Sequence, residues 1–164
     1  EVRELRQRDG RTGLMADIKS PEERSQNMSK IRSRDTKPEV WLRKKLFERG
    51  YRYRKNVNNV PGHPDIWLAK YDTAVFVHGC FWHRHEGCKY AYMPKSRVEF
   101  WTQKFRKNIE RDKVVRVELA DVGVRMLIVW ECTVKRMMKD EETASEVLRE
   151  IDAFLLSDEG YMEF

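Results

Sequence analysis

Hydrophobic residues after position 37 recur at the spacing of one face of a helix: Val40, Leu42, Leu46 and Phe47. The segment before them, Asp35–Glu39, offers capping side chains, a proline suited to the first turn and an acid at the positive end. Gly50 fits the helix end. Ser20–Glu23 carries the same kind of start signal. The pattern therefore predicts a helix that ends at Gly50 and an earlier helix that begins at Ser20.

Four later segments have the pattern of strands. Residues 51–54 alternate in polarity, which is typical of a strand with one buried face. Residues 65–69 and 73–77 predict two strands joined by a tight turn. Residues 124–130 are almost continuously apolar, as expected of a central strand that is buried on both faces.

Two capping boxes, in which a Ser or Thr precedes a Glu by three residues, predict the remaining helices. Ser96–Glu99 opens a long helix to about residue 120, and Gly123 fits its end. Thr143–Glu146 opens a last helix to about residue 155. The order of the elements predicts an α/β fold, with a central sheet covered by helices.

Length and composition fit a single domain with a polyanionic partner. The chain has 164 residues and a net charge of +6, and 40% of its residues are hydrophobic, which suffices for one core. Residues 1–55 carry 17 basic and 9 acidic residues, whereas residues 138–164 carry 2 and 9. This asymmetry favours a nucleic-acid binder, and the alternative is two ordinary solvated helix faces.

The sequence carries no signal for a membrane or for secretion. Its mean hydropathy is −0.78, and no apolar run approaches the roughly 18 residues of a spanning helix. Residues 1–14 show no clear apolar period, and Met15 resembles a natural start. We therefore expect a flexible extension over 1–14, a single domain over 15–164 and a cytoplasmic location.

Cysteine and histidine are concentrated in two short segments. An odd number of cysteines, three, argues against a disulfide framework. A Cys-x4-His-x2-Cys segment and a later cysteine supply the ligand set of a tetrahedral zinc site, namely Cys80, His85, Cys88 and Cys132. His78 and His83 would then remain for other chemistry. The alternative is that Cys80 and Cys132 are small buried hydrophobic residues.

Asp65 and His78 lie at the ends of two adjacent predicted strands. Metal-dependent nucleases often place an acid that holds Mg²⁺ at one such end and a residue that contacts water or phosphate at the next. The second half of the usual nuclease motif is acid-x-Lys, whereas this chain has Phe76-Val77-His78. The match is therefore partial, and the alternative for Asp65 is a turn residue beside two prolines.

Large aromatic side chains lie within or near this polar segment. Phe81 and Trp82 lie inside the Cys/His loop, and Trp101 lies near the start of the long helix. Such rings can stack on bases or wedge between them. The alternative is that they pack as a small core over the metal site, with Trp101 against Phe105.

Taken together, these motifs resemble the very short patch repair (Vsr) mismatch endonucleases. The resemblance covers about residues 15–135 and keeps several separate motifs in order. They are Arg24-Ser25-x-Asn27-Met28, Pro61-Gly62-x-Pro64-Asp65, Val77-His78-Gly79-Cys80-Phe81-Trp82-His83-x-His85-x-x-Cys88, Glu99-Phe100-Trp101, Lys107-Asn108-x-Glu110-Arg111-Asp112 and Val129-Trp130-Glu131-Cys132. It implies a restriction-endonuclease-like fold with a mixed central sheet flanked by helices and a structural zinc site.

The resemblance also implies catalytic roles for particular residues. Asp65 would hold Mg²⁺ by its carboxylate, and Val77, where the family usually has Thr, would contribute its backbone carbonyl. His83 would be the general base, with Asp112 as its orienting partner. His78 would assist at the phosphate or through metal-bound water, and Glu39 would lie near the metal waters.

The resemblance further implies a set of zinc ligands and a set of DNA contacts. Zinc would be held by Cys80, His85, Cys88 and Cys132, although the His–Cys gap is one residue longer than is usual in the family, so that His83 competes with His85. Phe81, Trp82 and Trp101 would wedge into DNA from the major groove, and Asn108 would contact DNA. Met28 would press in from the minor groove.

These residues predict an endonuclease that depends on Mg²⁺, carries a structural zinc and nicks one strand of duplex DNA beside a T:G mismatch. We expect it to act as a monomer at the bacterial nucleoid. An enzymatic alternative is a nickase for a broader range of mismatches or a restriction-type nuclease. The alternative from another class is a non-catalytic zinc module that binds DNA.

Overall fold

The computed structural model describes Ser20, Glu22, Glu23, Gln26, Asn27 and residues 34–55 and 57–164. The chain divides into two units, 1–33 and 34–164. In the first unit, the backbone amide of Glu23 donates to Ser20 Oγ over 3.1 Å, and the amide of Ser20 donates to Glu23 Oε2 over 2.9 Å. This reciprocal cap confirms the helix start predicted at Ser20. Met28 lies outside the described residues.

The second unit is a mixed sheet with helices on both faces. Its strands are β1 Ile66–Leu68, β2 Thr73–His78, β3 Arg125–Trp130 and β4 Tyr161–Glu163. Its helices are α1 Lys37–Glu48, α2 Val98–Asp121, α3 Glu131–Met137 and α4 Glu141–Leu156. The strands lie in the order β1-β2-β3-β4; β1 and β2 are antiparallel, and the other two pairs are parallel. The predicted α/β class with a mixed sheet is confirmed.

Alternation along the central strands divides the core into two clusters. In β2, Val75 points to the cluster that α1 and α4 also contribute to, whereas Ala74 and Phe76 point to the cluster that includes Leu119 of α2. Successive strand residues face opposite sides, so a strand covered on both faces must be apolar throughout. This explains the continuous apolar run of β3, which was predicted as a central strand.

The first predicted helix of this unit forms at the expected place. The Thr36 side chain accepts a hydrogen bond from the Glu39 amide and caps the N-terminus of α1. Gly50, with φ of +93°, follows the helix end in the left-handed conformation that favours glycine.

The other two predicted helices also form, but with N-caps that differ from the predicted ones. The long helix α2 covers Val98–Asp121, close to the predicted range, and its N-cap is Arg97, which has a left-handed backbone and no capping side-chain bond, rather than Ser96. The cap of the last helix lies three residues before the predicted Thr143, because Asp140 caps the helix by accepting from the Thr143 amide over 2.9 Å. An aspartate caps at least as well as a threonine, and the earlier site adds a turn to the helix.

The strand predicted over residues 51–54 is also wrong in extent. Among the described residues of that segment, only Arg54 bridges to the sheet, opposite Trp67. Tyr51 instead turns toward α4, where its hydroxyl donates to Asp152 Oδ1 over 2.7 Å and Arg49 pairs with the same carboxylate. The described residues contain no helix long and apolar enough to cross a membrane.

Candidate active site

Three strand ends meet at one edge of the sheet. β2 and β3 run in parallel and end at His78 and Trp130, which are paired in register. β1 runs the other way, so its start, just after Asp65, lies at the same edge. This topology brings together the strand-end residues that the sequence predicted as catalytic.

Asp65 is fixed by the backbone of β2. The amide of Val77 donates to Asp65 Oδ2 over 2.7 Å. Burial raises the pKa of Asp65 to about 6, while the Val77 hydrogen bond opposes the shift and the nearby Glu39 charge adds to it. The Val77 contact that the structure shows is thus its amide; the role predicted for its carbonyl stays a prediction.

Glu39 lies in the first turn of α1 and is 6% exposed. Its Oε1 accepts from the Thr36 hydroxyl over 2.8 Å, and its Oε2 lies 3.8 Å from Arg43 Nη2. The Glu39 charge raises the pKa of Asp65 and the Arg43 charge lowers it. The start of α1 therefore contributes to the electrostatics around Asp65.

Gly62 sets how closely the segment before Asp65 approaches α2. Its φ is +77°, and an added Cβ would overlap the Val115 side chain and lie 3.1 Å from Phe76 Cζ. Glycine is therefore required at this position for both its conformation and its size.

His83 and Asp112 form a hydrogen-bonded pair. The distance from His83 Nδ1 to Asp112 Oδ2 is 2.6 Å, and Asp112 projects from α2. Burial opposes ionisation of Asp112, but the His83 hydrogen bond and charge hold its pKa below the ordinary value. When the imidazole is neutral and its Nδ1 proton is directed at Asp112, the lone pair lies on Nε2, which is the form that a general base requires.

His78 packs against this pair as a neutral ring. Its imidazole stacks on His83 with centroids 3.8 Å apart and planes 10° apart. It is 6% exposed, and burial lowers its pKa to about 3, with a further contribution from the His83 charge. His78 is therefore uncharged near neutral pH and retains one N–H donor.

The three cysteines and His85 converge in a second group. Their ligand atoms all lie within 4.8 Å of one another. His85 Nδ1 is 3.3 Å from Cys132 Sγ and 3.7 Å from Cys80 Sγ. Bond lengths of about 2.0–2.3 Å around a tetrahedral zinc place nitrogen and sulfur ligands roughly 3.6 Å apart. Because the cysteines are free thiols and the spacing fits, these residues suit a metal centre.

His78, His83 and Asp112 also lie within 4.8 Å of one another, but their arrangement suits a metal less well. An imidazole coordinates through a lone pair in its ring plane. Stacked rings direct those lone pairs along parallel planes, so the two nitrogens do not converge on one ion. The geometry favours a catalytic imidazole–carboxylate pair here and a metal at the cysteine group.

The predicted wedge residues lie together in one half-buried aromatic group. The Phe81 ring is 5.1 Å from Trp82, 5.3 Å from Trp101 and 5.1 Å from Phe105, between centroids. Phe105 is buried, whereas Phe81, Trp82 and Trp101 keep exposed surface. The predicted contact between Trp101 and Phe105 is present at 5.6 Å. The group is thus anchored in the core and open at its outer edge.

Asn108 holds the loop that carries these rings. It is 9% exposed, and its Nδ2 donates to the carbonyl of Trp82 over 2.9 Å. Because the Asn108 amide nitrogen is bonded within the protein, only its oxygen is left for DNA. The DNA contact itself stays a prediction.

Two residues have structural roles at the site that the sequence did not predict. Arg84 donates to the carbonyls of Ala91 and Tyr92 and lies 4.2 Å from the centre of the Phe105 ring. Trp130 lies between His78 and His85. Trp130 ends an apolar run and belongs to the Val129–Cys132 motif, but neither signal indicated a contact with the two histidines.

The helix that carries Asp112 also presents exposed positive charge. Its exposed basic residues are Lys104, Arg106, Lys107, Arg111, Lys113 and Arg116. Lys104, Lys107 and Arg111 follow one stripe at helical spacing, on the side of α2 that contains Asn108. Such a stripe beside a catalytic group suits a phosphate backbone.

Known proteins share these features of the sequence. A profile of the family described as DNA mismatch endonuclease Vsr matches residues 16–89. The type II nicking enzyme V.NmeAIP of Neisseria meningitidis is 47% identical over 137 residues, which cover 84% of this chain and 97% of that protein. The DNA mismatch endonuclease Vsr of Escherichia coli is 40% identical over 137 residues, covering 83% and 87%.

A third relative extends the same pattern: the type II nicking enzyme V.XorIIP of Xanthomonas oryzae is 42% identical over 118 residues, or 72% of this chain and 86% of that protein. These matches span nearly the whole length of proteins that are named for nicking or mismatch cleavage. The chain belongs to the DNA mismatch endonuclease Vsr family and is a DNA endonuclease.

Proposed function

We propose that this endonuclease nicks one strand of duplex DNA beside a T:G mismatch in a reaction that depends on Mg²⁺. The observation that carries the proposal is the 2.6 Å hydrogen bond between His83 and Asp112, at the edge of the sheet where Asp65 begins β1. A base held by a carboxylate and a separate carboxylate for a metal are the groups that phosphodiester hydrolysis needs.

Asp65, together with the carbonyl of Val77, would hold the Mg²⁺. The fit rests on the donor set: one oxygen of Asp65 accepts from the Val77 amide, which leaves the other for a hard cation that prefers oxygen ligands. When bound, Mg²⁺ supplies charge stabilisation at the scissile phosphate and at the leaving oxygen. Glu39 would bind water at the edge of this site.

His83 would take a proton from the attacking water at Nε2. Asp112 keeps the ring in the required tautomer and orientation and stabilises the charge that develops on it. His78, which is buried and neutral, would donate a hydrogen bond to a phosphate oxygen, and its stack against His83 limits the tilt of both rings.

Phe81, Trp82 and Trp101 would wedge beside the mispair from the major groove, while Met28 would act from the minor groove. A wobble pair stacks less well than a matched pair, so separating the adjacent base step costs less there. Asn108 would support the wedge through the Trp82 carbonyl and contact DNA with its remaining polar atom.

The cysteine group would hold one structural zinc through Cys80, His85, Cys88 and Cys132. Four thiolate and imidazole ligands are typical of such tetrahedral centres.

A mixed sheet with an acid at the start of one strand also agrees with a restriction-endonuclease-like core. We further propose that residues 15–164 act as one domain, as a monomer, on DNA in the cytoplasm, with 1–14 as an extension.

A strand-specific nicking assay on labelled duplexes tests the proposal. Matched, T:G and other mispaired duplexes are compared in several sequence contexts, with and without Mg²⁺. We expect cleavage of one strand, next to T:G, only with the metal. Equal cleavage of many mispairs would favour a broader nickase, cleavage of matched DNA a restriction-type enzyme, and binding without cleavage a non-catalytic module.

Two substitutions test the catalytic roles in the same assay. Asp65→Ala should abolish nicking and leave binding largely intact, because affinity comes mainly from basic contacts to phosphates. His83→Ala should lower the single-turnover rate by about 10²–10⁴-fold. Asp72→Asn, at an exposed turn position with φ of +44°, is the control. Near-normal rates for either catalytic variant at saturating Mg²⁺ would contradict the assignment.

A further inference from the structure

The indole of Trp130 lies between the cysteine group and the imidazole pair. Its ring lies flat against His85, with centroids 4.2 Å apart and planes 2° apart. The indole also contacts His78 edge to face, with ring centroids 5.5 Å apart and ring planes at 70°. Trp130 is 8% exposed and ends a central strand, so both its backbone and its side chain are fixed.

These contacts extend without a break to the proposed base. His78 stacks on His83 at 3.8 Å, and His83 is hydrogen-bonded to Asp112 at 2.6 Å. Each of the two strands that carry this series continues, two residues later, into a cysteine of the metal group: Cys80 after β2 and Cys132 after β3. The two groups therefore share both backbone segments and side-chain contacts.

We infer that Trp130 is a positioning residue that couples the cysteine group to the catalytic imidazoles. A metal bound by the cysteines and His85 fixes the His85 ring, which provides a flat surface for the indole. The indole in turn limits the position of His78, and His78 limits that of His83. This inference rests on the proposed function for its effect on cleavage, but the coupling itself concerns only the positions of these rings.

The expected size of the effect follows from the sensitivity of catalysis to geometry. A base that is displaced by about 1 Å from its productive position can lose about 10²-fold in rate, even where the displacement begins elsewhere. The alternative role for Trp130 is to fill the core without positioning any group. The two roles differ because a loss of core volume lowers stability, whereas a loss of positioning lowers the rate of the chemical step.

Trp67 provides a matched control for the loss of an indole. It lies on β1 and packs against the same core cluster as Trp130. It pairs with Ala74, four residues before His78 on the neighbouring strand. Trp67→Leu therefore removes an indole from the same core at a distance from the imidazoles.

The experiment compares Trp130→Leu, Trp130→Phe and Trp67→Leu as metal-loaded proteins. Four quantities are measured: metal content, thermal stability, affinity for a T:G duplex and single-turnover nicking at saturating DNA and Mg²⁺. A fifth is the set of ring-nitrogen and ring-proton NMR signals of His78 and His83, assigned by single His substitutions. Loss of the indole changes the ring current at His78 directly, so the signals of His83, which stacks on His78, report the coupling without any cleavage.

We expect Trp130→Leu to keep its metal and to bind DNA within about twofold of the parent, while its single-turnover rate falls about 10- to 100-fold. Trp130→Phe should recover most of that rate, because a smaller ring can still lie against His85. The signals of His78 and His83 should move in Trp130→Leu, but not in Trp67→Leu. Thermal stability should fall in both Leu variants, and less in Trp67→Leu because that indole is only partly buried.

Equal slowing by Trp130→Leu and Trp67→Leu, or unmoved His83 signals in Trp130→Leu, would overturn the inference. If Trp130→Leu loses its metal or does not fold, Trp130→Met takes its place, because it also removes the ring but keeps a longer apolar side chain: unmoved His83 signals in that variant would overturn the coupling. If the parent protein cleaves no duplex, the proposed function fails, and the ring signals still decide the coupling.

Discussion

The two faces of the sheet are stabilised in different ways. The face covered by α1, α3 and α4 has a large apolar core, whose buried members include Leu42, Leu46, Leu127, Val134, Leu148, Ile151 and Phe154. The face covered by α2 has a smaller core, which is completed by residues 79–97, a segment without helix or strand. The candidate active-site rings and the cysteine group lie on this second side.

The comparison indicates that one face of the sheet supplies most of the stability, while the other carries the candidate site. Burial of large apolar side chains stabilises the first face without any specific chemistry. The second face exposes rings and carries buried polar groups, so it depends on hydrogen bonds, ring contacts and the proposed metal for its order. Residues there are restricted by function as well as by packing.

The largest effect should come from removing the metal on the second face. Cys88→Ala should abolish metal binding and unfold or aggregate the protein, because a structural zinc contributes on the order of 10 kcal/mol of folding free energy in small domains. Elemental analysis and thermal melts provide the measurement, with Glu86→Ala in the same loop as the control. A parent protein without zinc after washing with EDTA would remove the site and leave the cysteines as buried thiols.

A substitution in the large core should lower stability without affecting the metal. Phe154 lies on α4 and is 1% exposed. Phe154→Ala should lower the free energy of unfolding by about 3–5 kcal/mol. Leu156→Ala, at a position 80% exposed, should change little. Denaturant unfolding and elemental analysis test both points. Loss of metal from folded Phe154→Ala protein would show that the two faces are not separable in this way.

An aromatic residue on the second face should behave differently from Phe154. Trp82→Ala should fold nearly normally and keep salt-sensitive binding to any duplex. It should lose most of its preference for T:G, because a base stacked on an aromatic ring contributes about 1–3 kcal/mol of binding free energy. Binding titrations on matched and T:G duplexes at one salt concentration, together with thermal melts, provide the test. A much lower melting temperature with unchanged mismatch preference would place Trp82 in the core instead.

The smallest effect should come from the ion pair between Arg49 and Asp152, which joins α1 to α4 on the first face. Burial opposes ionisation of Asp152, but the hydrogen bonds from Arg49 and Tyr51 hold its pKa below the ordinary value. Its contribution to stability is therefore present above the unfolded-state pKa of about 3.9 and is lost as the pH falls through the lower folded-state pKa. For a partly exposed pair we expect less than about 1 kcal/mol.

Asp152→Asn tests this assignment. The variant should lose stability near neutral pH and approach the parent protein at acidic pH, in denaturant unfolding measured between about pH 3 and 7. Asp158→Asn, an exposed acid after α4, is the control. A difference between Asp152→Asn and the parent that does not vary with pH would assign the effect to packing rather than to the charge.

The sequence was most informative where a local pattern has one structural meaning. The apolar run 124–130 could form only a buried strand or a buried helix, and its short length favoured the strand found as β3. The short Cys/His spacing similarly brought Cys80, His85 and Cys88 into one loop, and the parallel pairing of β2 with β3 then added Cys132.

Features that depend on distant partners could not be predicted in this way. β4 is three residues long, and it pairs with β3 only because α4 returns the chain to the sheet edge. The helix Glu131–Met137 has too few residues for a helical period to stand out. Arg125 appears as a strand residue, yet it donates to the carbonyls of Tyr71, Phe154, Leu155 and Ser157, contacts that only the folded chain creates.

The close approach at Gly62 has a consequence for engineering this enzyme. The turn before Asp65 touches Val115, which lies one helical turn after Asp112 on α2. The spacing between Asp65 and Asp112, the two carboxylates of the proposed site, therefore depends on side-chain thickness where a turn meets a helix. A turn grafted from another relative would therefore keep this spacing only if it retained glycine at position 62 and valine at position 115.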